Sequence, residues 1–145
     1  KTKREKQKSA EILAKLETIK TKLCNKLAST KYKHDPGVKR LLAKKEVRIE
    51  ERSEIFAEDV AYSVNKGEFI GICVDSSNMN AMIFVLLHEL AHIMCTTYAH
   101  NKEFWDNFAL LIKAADEFKI YKHIRYDKKP ATFCGTVISD TPYKK

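Results

Sequence analysis

Hydrophobic residues recur at helical spacing near the start of the chain. Between residues 9 and 28 they lie mostly three or four positions apart, and lysines occupy the remaining faces. The apolar positions are Ile12, Leu13, Leu16, Ile19, Leu23 and Leu27. The pattern predicts a basic amphipathic helix, which we place in an amino-terminal region of residues 1–34. We expect it to form one compact unit with the remaining domain, residues 35–145.

A second, shorter helix is predicted next. Asp35-Pro36 indicates a helix start, because aspartate is a common N-cap residue and proline fits the first helical position. Val38, Leu41 and Leu42 then supply an apolar face.

Extended segments follow this helix. Short strands are predicted at residues 47–49, 54–56 and 60–64. Asn65-Lys66-Gly67 predicts a turn into residues 68–74, which are rich in strand-forming side chains. A few strands ahead of a long apolar helix predict a small α+β fold, with N-terminal helices and a short, mainly antiparallel sheet.

Residues 79–94 are apolar nearly all round, which predicts a helix buried in the core. Ser76, Ser77 and Asn78 offer N-cap side chains for it. The helix contains the H-E-x-x-H motif His88-Glu89-Leu90-Ala91-His92. Positions i and i+4 share one helix face, so the two imidazoles can hold one metal ion, with Glu89 beside it as a base for a metal-bound water. The alternative is a pair of hydrogen-bonded core histidines with Glu89 as their ion partner.

A catalytic zinc site normally has three protein ligands and an open position. His100 is the candidate for the third ligand, because β-branched and polar residues at 95–99 predict a chain turn there. A solvent-exposed loop histidine is the other interpretation of His100. Glu103 is a rival ligand that we expect to face solvent, and Cys95 is more typical of a buried structural thiol.

Another helix should begin after His100. Asn101 is a suitable N-cap residue for a helix from Lys102 to Phe118. Its apolar stripe consists of Phe104, Phe108, Leu111, Ile112 and Ala115. We expect Phe104 and Trp105 to be core residues, and not part of a substrate pocket, that pack this helix against the motif helix and hold His100 within reach of the metal.

Length and composition agree with one compact domain. The chain has 145 residues, 44% of them hydrophobic, and its longest apolar stretch, residues 81–87, is too short to cross a bilayer. We find no signal peptide. The first residue is lysine, so we expect an excised domain, and an upstream anchor remains open. The four cysteines lack C-x-x-C spacing, which favours reduced thiols in an intracellular setting; a Cys73–Cys134 or similar bridge remains open.

The net charge is +8, and basic residues cluster at the start of the chain and again at residues 39–48. A field of this sign favours acidic partners, including DNA, RNA or an anionic membrane surface. Lysine-rich helix faces are also common as simply solvated surfaces.

The motif region resembles a known family. His88-Glu89-Leu90-Ala91-His92, a loop and then His100-Asn101-Lys102-Glu103-Phe104-Trp105 are similar to the WLM, SprT-like and YgjP-like minimal zincins. The tail Tyr121…Tyr126…Pro130…Cys134-Gly135 and the turn at Asn65 resemble the WLM branch, particularly its large-DNA-virus-type members. The loop between His92 and His100 is about two residues longer than in compact members of the group. The likeness covers the second half of the chain well and the first half loosely.

The resemblance implies a zincin-like fold and a zinc-dependent metalloendopeptidase. Zn²⁺ would be held by His88, His92 and His100, with Glu89 as general base and then proton donor. Candidates for a donor to the oxyanion are Tyr121, His123, Arg125 and Tyr126. The hairpin of residues 60–74 is a candidate for a sheet edge that a substrate peptide extends; it could equally only cover the core.

The resemblance also implies partners. Its members are associated with DNA–protein crosslink repair, so we expect a protein or peptide substrate and consider DNA contact. We expect a monomer in the cytoplasm or nucleus, or in a viral factory or virion if the protein is viral. The alternative function is a non-catalytic zincin-fold module that binds nucleic acid or protein; an intact Glu89 argues against it.

Overall fold

In a computed structural model, residues 2–52, 61–64 and 69–145 are described. They form a mixed α+β structure of four α-helices, one short 3-10 helix and two small sheets. The predicted α+β class is therefore confirmed. The predicted strand at residues 54–56 and the turn Asn65-Lys66-Gly67 lie outside the described residues. Within the described parts of the chain, no helix is long and apolar enough to cross a membrane.

The first helix, α1 (Lys3–Ala28), begins six residues before residue 9, the start that its hydrophobic spacing predicted. The extra turns follow from a capping box, in which the Thr2 hydroxyl accepts from the Glu5 backbone N–H and the Glu5 carboxylate accepts from the Thr2 N–H. Its apolar face belongs to the same core as the rest of the chain. Four fully or nearly fully buried residues carry that contact: Ile12, Leu16, Leu23 and Leu27.

After a 3-10 turn (Lys31–His34), α2 (Pro36–Ala43) begins at the predicted proline. Asp35 occupies the N-cap position, although its side chain makes no capping hydrogen bond. Val38 and Leu41 are buried, as the apolar pattern predicted.

The larger sheet has three described strands, β1 (Arg48–Glu51), β2 (Ala61–Val64) and β3 (Phe69–Ile72), in the order β1-β3-β2. β2 pairs with β3 antiparallel, whereas β1 pairs with β3 parallel. The sheet is mixed because β3 inserts between the two earlier strands. A second, antiparallel pair consists of β4 (Ala131–Phe133) and β5 (Thr136–Ile138), so two of the three pairings among the described strands are antiparallel.

The motif helix is α3 (Met79–Ile93), and it is buried on nearly every face, as predicted. Asn78 is its N-cap residue, and the Asn78 side chain accepts from the Ala81 N–H at 3.0 Å. The following helix, α4 (Lys102–Glu117), is capped by Asn101 in the same way. The five residues of its predicted stripe are all buried: Phe104, Phe108, Leu111, Ile112 and Ala115. Packing of α4 along α3 places the start of α4 beside the end of the motif helix.

The preferred prediction of four reduced cysteines is wrong for one pair. Cys73 and Cys134 form a disulfide with a Cα–Cα distance of 6.5 Å, joining the segment after β3 to the turn between β4 and β5. The two residues are 61 positions apart, so no local spacing indicated the bridge. Cys24 and Cys95 are free and buried.

Candidate metal centre

The last turns of α3 carry the motif side chains. His88 and His92 lie one turn apart with ring centroids 5.2 Å from each other, as expected for positions i and i+4. Glu89 is only 5% exposed, and its Oε2 lies 3.7 Å from His88 Nε2. The helix therefore presents two imidazoles and a buried carboxylate at one end of the core.

His100 comes back to this pair from the other side of the loop. Its Nε2 lies 3.0 Å from His92 Nε2, and its ring centroid lies 5.4 Å from that of His88. One ligand atom from each of the three histidines lies within 4.8 Å of the others. His88 and His92 are half-buried and His100 is exposed, so the cluster is open to solvent on the His100 side.

The donor set fits a divalent metal ion. Two imidazole nitrogens bound tetrahedrally to zinc at about 2.0–2.1 Å are roughly 3.3 Å apart. The His92 and His100 nitrogens are 3.0 Å apart, which is close to that value. The ligand atoms of all three histidines lie within 4.8 Å of one another, so small rotations of the side chains would bring them to bonding distance from one ion. Imidazole ligands suit zinc, copper, iron and nickel, so the donor set is compatible with any of these metals.

The surroundings of His88 keep its imidazole neutral. Burial, reinforced by the neighbouring His92 and His100, lowers the pKa of His88 to about 3. A neutral imidazole is the state that offers a lone pair to a metal ion.

Phe104 forms a floor under the three imidazoles. It is fully buried, and its ring centroid lies 4.9 Å from His88, 4.4 Å from His92 and 4.8 Å from His100. The core role predicted for Phe104 is therefore confirmed. The same prediction for Trp105 is wrong: this indole is 43% exposed, because it points to the solvent side of α4 while Phe104 points inward.

We expect Phe104→Ala to lower both stability and metal retention. Removing a buried aromatic ring typically costs about 3–5 kcal/mol of unfolding free energy, and here it also removes the surface against which all three imidazoles pack. Chemical denaturation and metal analysis of the purified variant measure the two effects. Phe133→Ala is the control, since Phe133 is equally buried in β4 and should reduce stability while the folded protein keeps its metal affinity. A Phe104→Ala protein with wild-type stability and metal content would contradict this role.

Glu103 and Cys95, the other ligand candidates, are engaged elsewhere. Both carboxylate oxygens of Glu103 accept from the Thr96 N–H and hydroxyl, at 3.0 to 3.2 Å. The Cys95 thiol is buried and donates to the Ala91 carbonyl at 3.2 Å. The prediction that Glu103 faces solvent is therefore wrong. Its carboxylate connects the start of the loop between His92 and His100, called the histidine loop below, to the first turn of α4.

Arg40 on α2 strengthens the same junction. Its guanidinium donates to the Met94 carbonyl at 2.8 Å, at the end of the motif helix, and lies 3.9 Å from the Glu103 carboxylate. Sequence reasoning missed this residue, because only tertiary packing brings α2 to the end of α3.

Loss of the Glu103 carboxylate is expected to loosen the loop that delivers His100. Glu103→Ala should weaken zinc binding by roughly tenfold, a typical effect of removing a residue that supports a metal ligand from outside the coordination sphere. Competition with a chromogenic zinc chelator measures this change. Asp106→Ala removes a carboxylate from the next turn of α4, which among the described residues is paired with the exposed Lys102, and should leave the affinity unchanged. Equal affinities for both variants would show that the Thr96 contacts do not position His100.

The four predicted oxyanion donors lie in two other environments. Tyr121 and Tyr126 are buried against Phe84, and burial raises the pKa of each phenol. His123 contacts the Lys145 carbonyl, and Arg125 pairs with Asp127 and donates to the Lys144 carbonyl. Among the described residues, no hydrogen bond or ring contact joins any of the four to the histidine cluster.

Comparison with known proteins yields viral relatives. An uncharacterized protein of Acanthamoeba polyphaga mimivirus is 38% identical over 86 residues, which cover 55% of this chain and 44% of the relative. An uncharacterized protein of Invertebrate iridescent virus 3 is 29% identical over 83 residues, covering 53% of this chain and 49% of the relative. The chain thus spans about half the length of these curated relatives. No family model matches the chain, and no solved structure matches it.

Proposed function

We propose that this chain is the catalytic part of a zinc-dependent metallopeptidase with a zincin-like fold, similar to the WLM and SprT-like group. One observation supports this above the others. One ligand atom from each of three histidines lies within 4.8 Å of the others, and a nearly buried carboxylate, that of Glu89, lies beside His88. A metal site that only stabilises structure is usually closed by four protein ligands, whereas three ligands leave a position for water.

The three histidines and Glu89 have separate roles in peptide hydrolysis. His88, His92 and His100 would hold the zinc ion, which supplies a Lewis acid that polarises the peptide carbonyl and lowers the pKa of a water to about 7. Glu89 accepts a proton from the attacking water as the water oxygen forms a bond to the carbonyl carbon. Glu89 then transfers this proton to the amide nitrogen as the C–N bond breaks. The donor that stabilises the oxyanion stays a prediction, with Tyr121, His123, Arg125 and Tyr126 as candidates.

The burial of Glu89 suits this role better than the binding-only alternative. The Glu89 carboxylate is 5% exposed and lies 3.7 Å from the His88 imidazole, where it could accept a proton from a water on the metal. A module that only binds nucleic acid or protein has no requirement for a carboxylate next to the three imidazoles.

Contact with DNA is a further part of the proposal, supported by α1. Six basic side chains of this helix are exposed, against two exposed acidic ones. The basic residues are Lys3, Arg4, Lys6, Lys8, Lys15 and Lys22. Such a surface would bind the phosphate backbone without reading sequence, so its affinity for single-stranded DNA should fall steeply as salt rises.

The proposal is tested with unfolded protein substrates. The chain is loaded with one equivalent of zinc, and cleavage of a denatured, disulfide-reduced protein is followed by mass spectrometry with and without single-stranded DNA. Activity should vanish with a chelator and return when zinc is added back. Absence of cleavage by the zinc-loaded chain under all these conditions would overturn the metallopeptidase assignment.

A further inference from the structure

Aromatic side chains are exposed on both sides of His100. Among the described residues, the exposed large hydrophobic side chains are Tyr98, Trp105 and Val137, at 65%, 43% and 60%. Tyr98 lies in the loop between the second and third histidines, and Trp105 lies in the first turns of α4. Two of the three therefore flank His100 in the sequence, whereas Val137 lies on β5.

The indole of Trp105 is held in place by buried rings. Its centroid lies 4.9 Å from that of Phe104 in an edge-to-face arrangement at 77° and 6.3 Å from that of Phe108 at 28°. It also lies 6.0 Å from the ring of His100. Phe104 and Phe108 are buried in the core, so one side of the indole is supported while the rest faces water.

An apolar surface in this position is suited to part of a bound peptide. An extended peptide advances about 3.3 Å per residue, so the 6.0 Å between the Trp105 and His100 rings corresponds to one or two residues. A peptide whose scissile bond lies at the histidine cluster would thus bring a nearby side chain onto the indole. Indole faces favour aromatic partners in offset-stacked or edge-to-face geometry.

We propose that Trp105 is a specificity-determining residue, which contacts an aromatic side chain of the substrate one or two residues from the scissile bond. This inference rests on the proposed peptidase function. It adds the substrate class: unfolded segments that carry phenylalanine, tyrosine or tryptophan near the cleaved bond.

Binding is measured separately from hydrolysis. The chain contains one tryptophan, so intrinsic tryptophan fluorescence reports on Trp105 alone. Zinc-loaded Glu89→Gln protein is titrated with two matched sets of peptides. In one set each position near the centre is replaced in turn by phenylalanine, and in the other set the same positions are replaced in turn by serine. We expect a shift in emission on binding of the phenylalanine peptides, with roughly tenfold tighter affinity than for their serine counterparts at one position.

Cleavage by the active protein supplies the second measurement. Trp105→Ala should lower kcat/KM for the phenylalanine substrate roughly tenfold and leave the serine substrate unaffected, while Trp105→Phe retains most of the preference. Zinc content and melting temperature are measured for each variant, because His100 is close. Val137→Ala, which truncates an exposed hydrophobic residue on β5, is the control and should leave the preference unchanged.

The outcomes separate this inference from the proposed function. Hydrolysis of both substrate sets without a phenylalanine preference, or an equal loss for both in Trp105→Ala, would overturn the role of Trp105 and leave the peptidase standing. If the Glu89→Gln protein binds the phenylalanine peptides more tightly but the wild type cleaves no substrate, the result would support the binding site and overturn the proposed hydrolysis.

Discussion

Glu89→Gln is expected to fold and bind zinc as the wild-type chain does, but to hydrolyse peptide bonds more slowly by about two to four orders of magnitude. Glutamine keeps the shape of the side chain and loses the proton acceptor. Glu89 lies nearly buried beside His88, so the substitution removes a carboxylate placed next to the histidine cluster. Initial rates on a denatured protein, together with zinc content and circular dichroism, measure the change.

Self-cleavage offers an additional substrate for the same comparison. The lysine-rich start of the chain is tethered to the protein and is exposed over residues 2–8. Single-stranded DNA should accelerate this cleavage in the wild type if α1 binds DNA, and the gain should decrease with salt. If the wild type and Glu89→Gln are equally inactive on every substrate, with and without DNA, Glu89 is not a catalytic base and the binding-module alternative becomes the better interpretation.

Removal of the two motif imidazoles is expected to abolish zinc binding. The wild-type chain should carry about one zinc ion, and the His88→Ala/His92→Ala variant should carry essentially none, because a single remaining imidazole cannot replace a three-ligand site. Metal analysis after dialysis against a weak chelator gives the stoichiometry. His34→Ala removes an exposed imidazole outside the cluster and should leave zinc content unchanged.

His100→Ala tests the third ligand by itself. We expect a large loss of zinc affinity, because the His100 nitrogen lies 3.0 Å from that of His92. Full zinc retention would leave the motif pair as ligands and transfer the third position to another residue. Glu103 would then be tested next, although its carboxylate is bonded to Thr96 in this structure. Unchanged zinc content in the His88→Ala/His92→Ala variant would reject the site altogether.

The helices and the candidate ligands could be predicted because their signals are local. Asn78 and Asn101 cap helices through hydrogen bonds to backbone groups three residues ahead, so the adjacent sequence contains the necessary information. The spacing of His88 and His92 implies a shared helix face for the same reason. The start of α1 was missed by six residues because its first turns depend on a capping box rather than on hydrophobic spacing.

The sequence by itself determined the helices, the α+β class and the three histidines that the structure brings together. Tertiary structure alone decided the pairing of Cys73 with Cys134, the parallel pairing of β1 with β3, and the exposure of Trp105 beside a buried Phe104. It also decided that Glu103 holds the histidine loop through Thr96. The physical reason is the distance along the sequence over which each interaction acts. Helix caps and i, i+4 faces depend on neighbouring residues, whereas disulfides, strand order and the burial of one aromatic rather than the next depend on which distant segments pack together.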